Sequence, residues 1–151
     1  MALEPGTLYV VATPIGNLAD LSPRAAEVLG AVDLLLCEDT RHTGHLLATL
    51  GLKKDTWSLH AHNEVGKIPA VLVRLQAGAT VGLVSDAGTP ALSDPGQLLV
   101  DAVHEAGLQV RTIPGPFAVA AALARFLPAR SGLCRHKPRV TSTSLWLFAR
   151  R

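Results

Sequence analysis

The sequence predicts an α/β fold in which a mainly parallel sheet is covered by helices on both faces. Short apolar runs alternate with segments whose apolar residues recur every three or four positions, the pattern of strands joined by crossover helices. Apolar residues make up 48% of the chain and aromatic residues only 4%, which suits strands covered on both faces. Several of the apolar runs end abruptly in turns rich in glycine and proline. At 151 residues, the chain has the length of about one domain.

The predicted elements follow one another from the amino terminus. Strand one is 8–12, and helix one begins at Pro23, because Ser22 is a favoured N-cap and proline fits the first helical position. Gly30 is expected to end this helix, and Asp94 is expected to cap the fourth one. The later strands are predicted at 32–37, 56–59, 80–84 and 109–113. The later helices are predicted at 43–50, 63–76 and 96–106, with a fifth beginning near residue 117.

Three strands run directly into tight turns that indicate a ligand site. The turns are Thr13–Leu18, Ser85–Pro90 and Pro114–Pro116. In a parallel sheet, ligands bind beyond the carboxyl ends of the strands, where glycines let the backbone approach and amide groups face outward. The first turn has neither a dinucleotide fingerprint nor a P-loop, so neither NAD nor ATP is indicated. Asp86 is placed to accept hydrogen bonds from hydroxyls or an amine, and is equally explained as a turn residue that bonds its own backbone.

A dense polar cluster, residues 37–45, follows the second strand. Polar side chains at the carboxyl end of a strand are more often functional than the same residues on a helix face. A zinc site is the rival interpretation, but the cysteine and histidines here lack the compact spacing of zinc motifs, so no metal is predicted. Cys37 lies in an apolar strand and is expected to be inert. Ser85 lacks the Gly-x-Ser-x-Gly context of a hydrolase nucleophile.

Charge is distributed unevenly along the chain. Residues 1–124 carry seven basic and twelve acidic residues, a net charge of −5, whereas residues 125–151 carry seven basic residues and no acid. The basic tail fits either an arm for nucleic-acid phosphates or a solvated, poorly ordered terminus. No apolar run has the length of a membrane span, and the amino terminus lacks a secretory signal. We therefore expect a cytoplasmic protein without a membrane partner, and two unpaired cysteines fit that reducing compartment.

A series of motifs along the chain resembles one family. The motifs are 8–18, Cys37–Gly44, His62–Glu64, 83–90, Ser93–Gly96 and Ile113–Pro116. In order and spacing they resemble the bacterial 16S rRNA (cytidine-2′-O)-methyltransferases of the tetrapyrrole methylase superfamily. The resemblance implies S-adenosyl-L-methionine (SAM) as the cofactor, 16S rRNA or the small ribosomal subunit as the partner, and two α/β domains with the cofactor between them. The first two motifs argue against the tetrapyrrole and diphthamide-pathway enzymes of the same superfamily, which stay the alternative.

The resemblance also implies roles for individual residues. It places the cofactor against the three strand-end turns, with Asp86 as the polar anchor. Phe117 departs from the small residue usual in the family there and is expected to crowd the site. A ribose hydroxyl must lose its proton during methyl transfer, so we expect Asp39 as the general base and Arg41 on the RNA phosphate, with a salt-bridged strand end as the alternative. The expected cofactor-binding residues are Pro14, Ile15, Gly16, Asn17, Asp86, Ala87, Gly88, Thr89, Gly115, Pro116 and Phe117.

The resemblance stops near residue 124. Residues 125–132 resemble a family segment that normally lies further along the chain, and no counterpart is recognised from Leu133 onward. We therefore expect an N-terminal domain at 1–124, an absent C-terminal domain, and a basic, divergent, disordered tail at 125–151. Half of the cofactor cleft would then be missing, which leaves catalysis by this chain open. The alternatives are a fragment that binds RNA through the tail, or a homodimer formed through the face that the missing domain would cover.

Overall fold

Parallel strands form one sheet in the part of the chain that the structure describes. The computed structural model describes residues 2–90 and 95–126. The strands are β1 Thr7–Val11, β2 Leu34–Cys37, β3 Thr56–Ser58, β4 Val81–Val84 and β5 Gln109–Ile113. Their order across the sheet is β3-β2-β4-β1-β5, and every pairing between them is parallel. The predicted parallel sheet is confirmed, and each strand lies within two residues of its predicted bounds.

Helices follow the strands in alternation. They are α1 Pro23–Ala31, α2 Thr40–Thr49, α3 Glu64–Gln76, α4 Gln97–Glu105 and α5 Ala118–Phe126, with a short 3₁₀ helix at Leu18–Asp20. The chain divides into two compact units, residues 1–118 and 119–151. In the second unit the structure describes α5, whose residues 119–125 are exposed. Asp94, and the predicted tail apart from its first two residues, lie outside the described part of the chain.

Each face of the sheet has its own apolar core in the first unit. Successive residues of a strand point to opposite faces, so Tyr9 and Val11 of β1 join one core, while Leu8 and Val10 join the other. Helices α1 and α2 cover the first face, and α3 and α4 cover the second. Their buried core residues are Val28, Leu29, Leu46 and Leu47 on the first face, and Val71, Leu75, Leu99 and Val103 on the second. The predicted helices on both faces are confirmed.

The first helix begins as predicted and ends later. Ser22 caps it, because its hydroxyl oxygen accepts a hydrogen bond from the Ala25 N–H at 3.1 Å. Gly30 does not end α1, which continues for one more residue until Val32 becomes extended. A Cβ on Gly30 would lie 3.4 Å from the side chain of Leu52, which is an ordinary van der Waals contact.

The second helix begins three residues earlier than predicted. α2 starts at Thr40 instead of Thr43, because Asp39 is its N-cap and accepts a hydrogen bond from the Arg41 N–H at 2.8 Å. Its end is as predicted, since Gly51 follows the helix with φ of +68°, the left-handed conformation that glycine favours. The earlier start adds a turn of helix directly at the carboxyl end of β2.

Hydrogen bonds between Asp33 and Thr80 hold the start of β2 next to the start of β4. The Thr80 N–H and the Thr80 hydroxyl both donate to Asp33 Oδ2 at 2.7 Å. In return, the Asp33 N–H donates to the Thr80 carbonyl at 2.9 Å. The bond from the Thr80 backbone N–H is the largest cause that lowers the pKa of Asp33 below its ordinary value, and the Thr80 hydroxyl adds to it.

We expect Asp33→Asn to lower the free energy of unfolding at about pH 7 and to lower it less at about pH 3. Because the folded-state pKa is depressed, the carboxylate's contribution is complete above its unfolded pKa and is lost as the pH falls through the folded value. The effect should be small, since Asp33 is exposed. Urea unfolding of both proteins at the two pH values measures it, and an equal loss at both would contradict the prediction.

Candidate functional site

The three predicted turns lie side by side at the carboxyl ends of the strands. β4, β1 and β5 are neighbours in the strand order, and all of their carboxyl ends point the same way. The turns Thr13–Leu18, Ser85–Pro90 and Pro114–Pro116 therefore leave the sheet next to one another. The carboxyl ends of the strands are where ligands bind in parallel sheets.

Thr13 joins the first turn to the second. Its N–H donates to the Gly88 carbonyl at 2.8 Å, and the Gly88 N–H donates to the Thr13 carbonyl at 3.1 Å. The Thr13 hydroxyl donates to the Ser85 carbonyl at 3.0 Å. Thr13 is buried, so water does not compete for these bonds. Gly88 has φ of +84°, a conformation that L side chains rarely adopt, and this explains the glycine.

The third turn is held by close backbone contacts. The Ala12 N–H donates to the Ile113 carbonyl at 3.2 Å, and the Thr89 hydroxyl donates to the Pro116 carbonyl at 3.4 Å. Gly115 passes so close to β1 that a Cβ on it would lie 2.9 Å from the Ala12 Cβ. Glycine is required here because any side chain would push the third turn away from the first.

A pocket of about 220 Å³ opens beside these turns. Pro14, Gly16, Asn17 and Asp86, four of the predicted cofactor residues, line it. The other predicted residues lie in the same three turns but outside the pocket wall: Ile15, Ala87, Gly88, Thr89, Gly115, Pro116 and Phe117. Phe117, which is expected to crowd the site, is 40% exposed and does not narrow this pocket.

Asp86 lies where the ends of β4 and β2 meet. Its Oδ1 accepts a hydrogen bond from the Asp39 N–H at 3.3 Å, and its half-buried side chain lines the pocket. The carboxylate therefore does not bond its own turn; within that turn the Ser85 hydroxyl donates to the Ala87 carbonyl at 3.3 Å. The structure gives Asp86 a linking role between two strand ends that the sequence did not indicate.

Asp39 and Arg41 form the ion pair that was the alternative to their catalytic role. The Arg41 guanidinium lies 3.4 Å from Asp39 Oδ2, and the Arg41 side chain is 89% exposed. The Arg41 N–H, together with its guanidinium, lowers the pKa of Asp39 below the ordinary value. Neither residue lines the pocket. A carboxylate with a lowered pKa is a weaker proton acceptor, so these contacts favour the capping role of Asp39.

Sequence reasoning missed the α2 side of the pocket. His42, Thr43 and Leu46 line it together with Ser85 and Asp86. Residues 42, 43 and 46 share one face of a helix, but only if the helix has already begun before them. Asp39 followed by Thr40 is an N-cap signal that would have placed these side chains at the site. His42 and Asp86 are the groups in the pocket wall that can accept a proton.

Two further properties of the described chain concern metals and membranes. Within residues 2–90 and 95–126, no three His, Cys, Asp or Glu side chains lie close enough together to hold a metal ion. Burial raises the pKa of the Cys37 thiol, whose Sγ contacts the Trp57 carbonyl at 3.7 Å, as expected for an inert cysteine. None of the described helices combines the length and the apolar character needed to cross a bilayer.

Comparison with known proteins identifies relatives over most of the chain. The sequence profile of the tetrapyrrole (corrin/porphyrin) methylases matches residues 7–129. Ribosomal RNA small subunit methyltransferase I from Xylella fastidiosa is 55% identical over 119 residues, which cover 79% of this chain and 44% of that protein. The protein of the same name from Escherichia coli is 50% identical over 138 residues, covering 83% of this chain and 48% of that one.

A solved structure has the same fold. Uroporphyrin-III-C-methyltransferase from Thermus thermophilus superposes with a TM-score of 0.60 at 22% identity, covering 80% of this chain and 51% of that one. This chain spans about half the length of the curated relatives it matches. The matching profile includes all five strands and the three turns of the site. The chain belongs to the tetrapyrrole (corrin/porphyrin) methylase family.

Proposed function

We propose that this chain acts in the SAM-dependent methylation of a cytidine ribose 2′-hydroxyl in 16S rRNA. One observation carries the proposal: the first two strand-end turns, joined through Thr13 and Gly88, line a pocket with Asp86 in its wall, and the third turn lies next to them. Family membership supports methyl transfer from SAM, and the curated relatives named small subunit rRNA methyltransferases support the RNA substrate. Those relatives are about twice as long as this chain, so whether this chain alone transfers the methyl group must be tested by experiment.

The residues of the site suit SAM as a ligand. The Asp86 carboxylate can accept hydrogen bonds from ribose hydroxyls or from the ammonium group, and the glycines of the three turns allow the backbone to approach closely. The pocket volume of about 220 Å³ is below the roughly 300 to 1,000 Å³ of sites that enclose whole drug-sized ligands. We therefore expect the described residues to contact part of the cofactor. The contacts would come from Pro14–Asn17, Asp86–Thr89 and Gly115–Phe117.

The protein's contribution to catalysis in this proposal is mainly placement. When bound, SAM supplies a methyl group on a positively charged sulfur, which an oxygen nucleophile can attack. Holding the hydroxyl in line with that methyl group avoids most of the entropy cost of the reaction. The connection between the first two turns suits this task, because buried bonds of Thr13 set their relative positions. The hydroxyl proton must pass to a base, for which Asp39 is the predicted acceptor.

Asp39→Asn separates catalysis from helix capping. An asparagine still accepts the Arg41 N–H bond that caps α2, but it cannot take a proton. If Asp39 is the general base, the variant should keep its melting temperature and lose about two to four orders of magnitude in methyl transfer. Transfer from radiolabelled SAM to unmethylated small ribosomal subunits measures the rate. His42→Gln tests the rival base in the pocket wall, and it should keep the wild-type rate if Asp39 is the base. If Asp39→Asn is stably folded and keeps the wild-type rate, Asp39 is not the general base and only caps α2.

The remaining features of the proposal concern partners and location. We propose 16S rRNA or the small ribosomal subunit as the partner and the cytoplasm as the compartment, with a homodimer as the candidate assembly. The boundary between a domain at 1–124 and a tail at 125–151 stays a prediction. The tail's seven basic residues, without any acid, support the alternative of a non-catalytic fragment that binds RNA.

Calorimetric titration of the purified chain with SAM tests the proposal. We expect saturable binding with one site per chain, and competition by the demethylated product S-adenosylhomocysteine. ATP is the matched control, because it shares the adenosine but needs a phosphate-binding loop that the first turn lacks. Absence of SAM binding at millimolar cofactor would refute the proposal for this chain.

A further inference from the structure

Glu64 is a buried carboxylate that the proposed site does not use. It is the first residue of α3 and is only 4% exposed. Its Oε1 accepts hydrogen bonds from the N–H groups of Gly96 and Leu99, each at 3.0 Å. A buried carboxylate is costly unless it is hydrogen-bonded, so these contacts account for its presence in the interior.

The two bonds cap the start of α4 from another helix. The N-cap of that helix is Gly96, which has no side chain, and the N–H of the third helical residue, Leu99, is the group that an N-cap side chain ordinarily binds. Glu64 therefore supplies from α3 the acceptor that Gly96, the N-cap residue, cannot supply. Gly96 has φ of +120°, and a Cβ on it would lie 2.6 Å from Leu83 Cδ2, so the position is also sterically fixed.

The position that Glu64 fixes belongs to the same connection as the site. The chain that leaves β4 forms the turn Ser85–Pro90 and enters α4 at Gly96. Thr13 holds the near end of this connection through Ser85 and Gly88. Glu64 holds its far end, where α4 begins.

We propose that Glu64 is a positioning residue for the cofactor-binding turn Asp86–Thr89. It acts through the start of α4, without touching the ligand, because its bonds hold Gly96 against the side chain of Leu83 in β4, the strand that leads into the turn. This role rests on the proposed binding of SAM at that turn. Loss of the carboxylate would leave the buried N–H groups of Gly96 and Leu99 without this acceptor. The start of α4 would then be free to move.

Three variants test this role. Glu64→Ala removes the acceptor, whereas Glu64→Gln keeps a carbonyl oxygen for the same N–H groups. Val28→Ala is the matched control, because Val28 is fully buried on the other face of the sheet, in α1. We expect Glu64→Ala to weaken SAM binding about tenfold or more per folded molecule, and Glu64→Gln to restore most of it. Val28→Ala should lower the melting temperature with unchanged affinity. Wild-type affinity in Glu64→Ala, or an equal loss in Val28→Ala, would overturn the proposal.

Amide hydrogen exchange separates this proposal from the binding of SAM itself. In Glu64→Ala we expect faster exchange at Leu99 and also at Gly88, whose N–H donates to Thr13 in the distant part of the connection. Exchange in α1 should be unchanged, and Glu64→Gln should resemble the wild type. If the wild-type chain binds no SAM, the proposed function fails, and this experiment still decides the positioning role. Unchanged exchange at Gly88 in a folded Glu64→Ala would overturn it.

Discussion

Gly88→Ala should weaken the cofactor site while leaving most of the fold intact. Gly88 has φ of +84°, and both of its backbone polar groups bond to Thr13. A side chain at such a φ costs about 1 to 2 kcal/mol, and a Cβ would also lie 3.4 Å from Ile15 Cδ1. The turn can relieve this strain only by changing its backbone conformation, which breaks the link between the first two turns. We expect SAM affinity to fall by about five- to thirtyfold, because the bound form must carry this strain.

Gly107→Ala is the control for that variant. Gly107 also has a left-handed backbone, with φ of +70°, but a Cβ there meets no atom within 4 Å. It follows α4 and lies just before the amino end of β5, away from the carboxyl ends where the turns are. Both variants should lower the melting temperature by similar amounts, because both place alanine at a positive φ. Only Gly88→Ala should lose SAM affinity in calorimetry; an equal loss in both variants would show that general stability governs binding.

Asp86→Ala should weaken SAM binding by one to two orders of magnitude. Removal of a charge-assisted hydrogen bond costs about 1.5 to 3 kcal/mol, which corresponds to that loss in affinity. The structure adds a complication, since Asp86 Oδ1 also accepts the Asp39 N–H at the start of α2. Asp86→Ala removes both interactions and should therefore lower the melting temperature as well.

Asp86→Asn distinguishes the anchor from the structural link. The asparagine keeps an oxygen for the Asp39 N–H but loses the negative charge that would attract hydroxyls or an ammonium group. We expect this variant to keep its melting temperature and still lose about tenfold or more in affinity. Calorimetry and thermal unfolding on the three proteins measure both quantities. Wild-type affinity in either variant would rule out Asp86 as the anchor.

The sheet and the turns could be predicted because local sequence determines them. Strands such as β1 and β4 are short apolar runs, and glycine and proline mark where each chain segment leaves the sheet. The side-by-side arrangement of the turns then follows from parallel pairing alone. β5, Gln109–Ile113, was predicted at the bounds that the structure has because Gly107 and Pro114 mark its two ends.

The contacts that complete the site could not be predicted, because they join residues far apart in sequence. Asp86 meets Asp39 across two strand ends, and Glu64 meets Gly96 across two helices. Neither pairing has a local pattern, so each carboxylate had only its neighbours in sequence to suggest a role. The start of α2 was misplaced for a different reason. The residues that begin it are polar and lack an apolar period, and the Asp39 cap outweighs that weak signal.

Mapping SAM onto the chain by amide NMR tests the central proposal most directly. In a titration of the ¹⁵N-labelled chain with SAM, we expect the largest shift changes at the non-proline residues of 13–18, 85–89 and 115–117. The amides of α1 and those at the amino ends of the strands should be unaffected. Asp86→Asn should reduce these changes at equal cofactor concentration, and Gly107→Ala should not. Shift changes of this pattern would place the cofactor on the three joined turns. No change at millimolar SAM, or changes centred elsewhere on the chain, would contradict a cofactor site at the carboxyl ends of these strands.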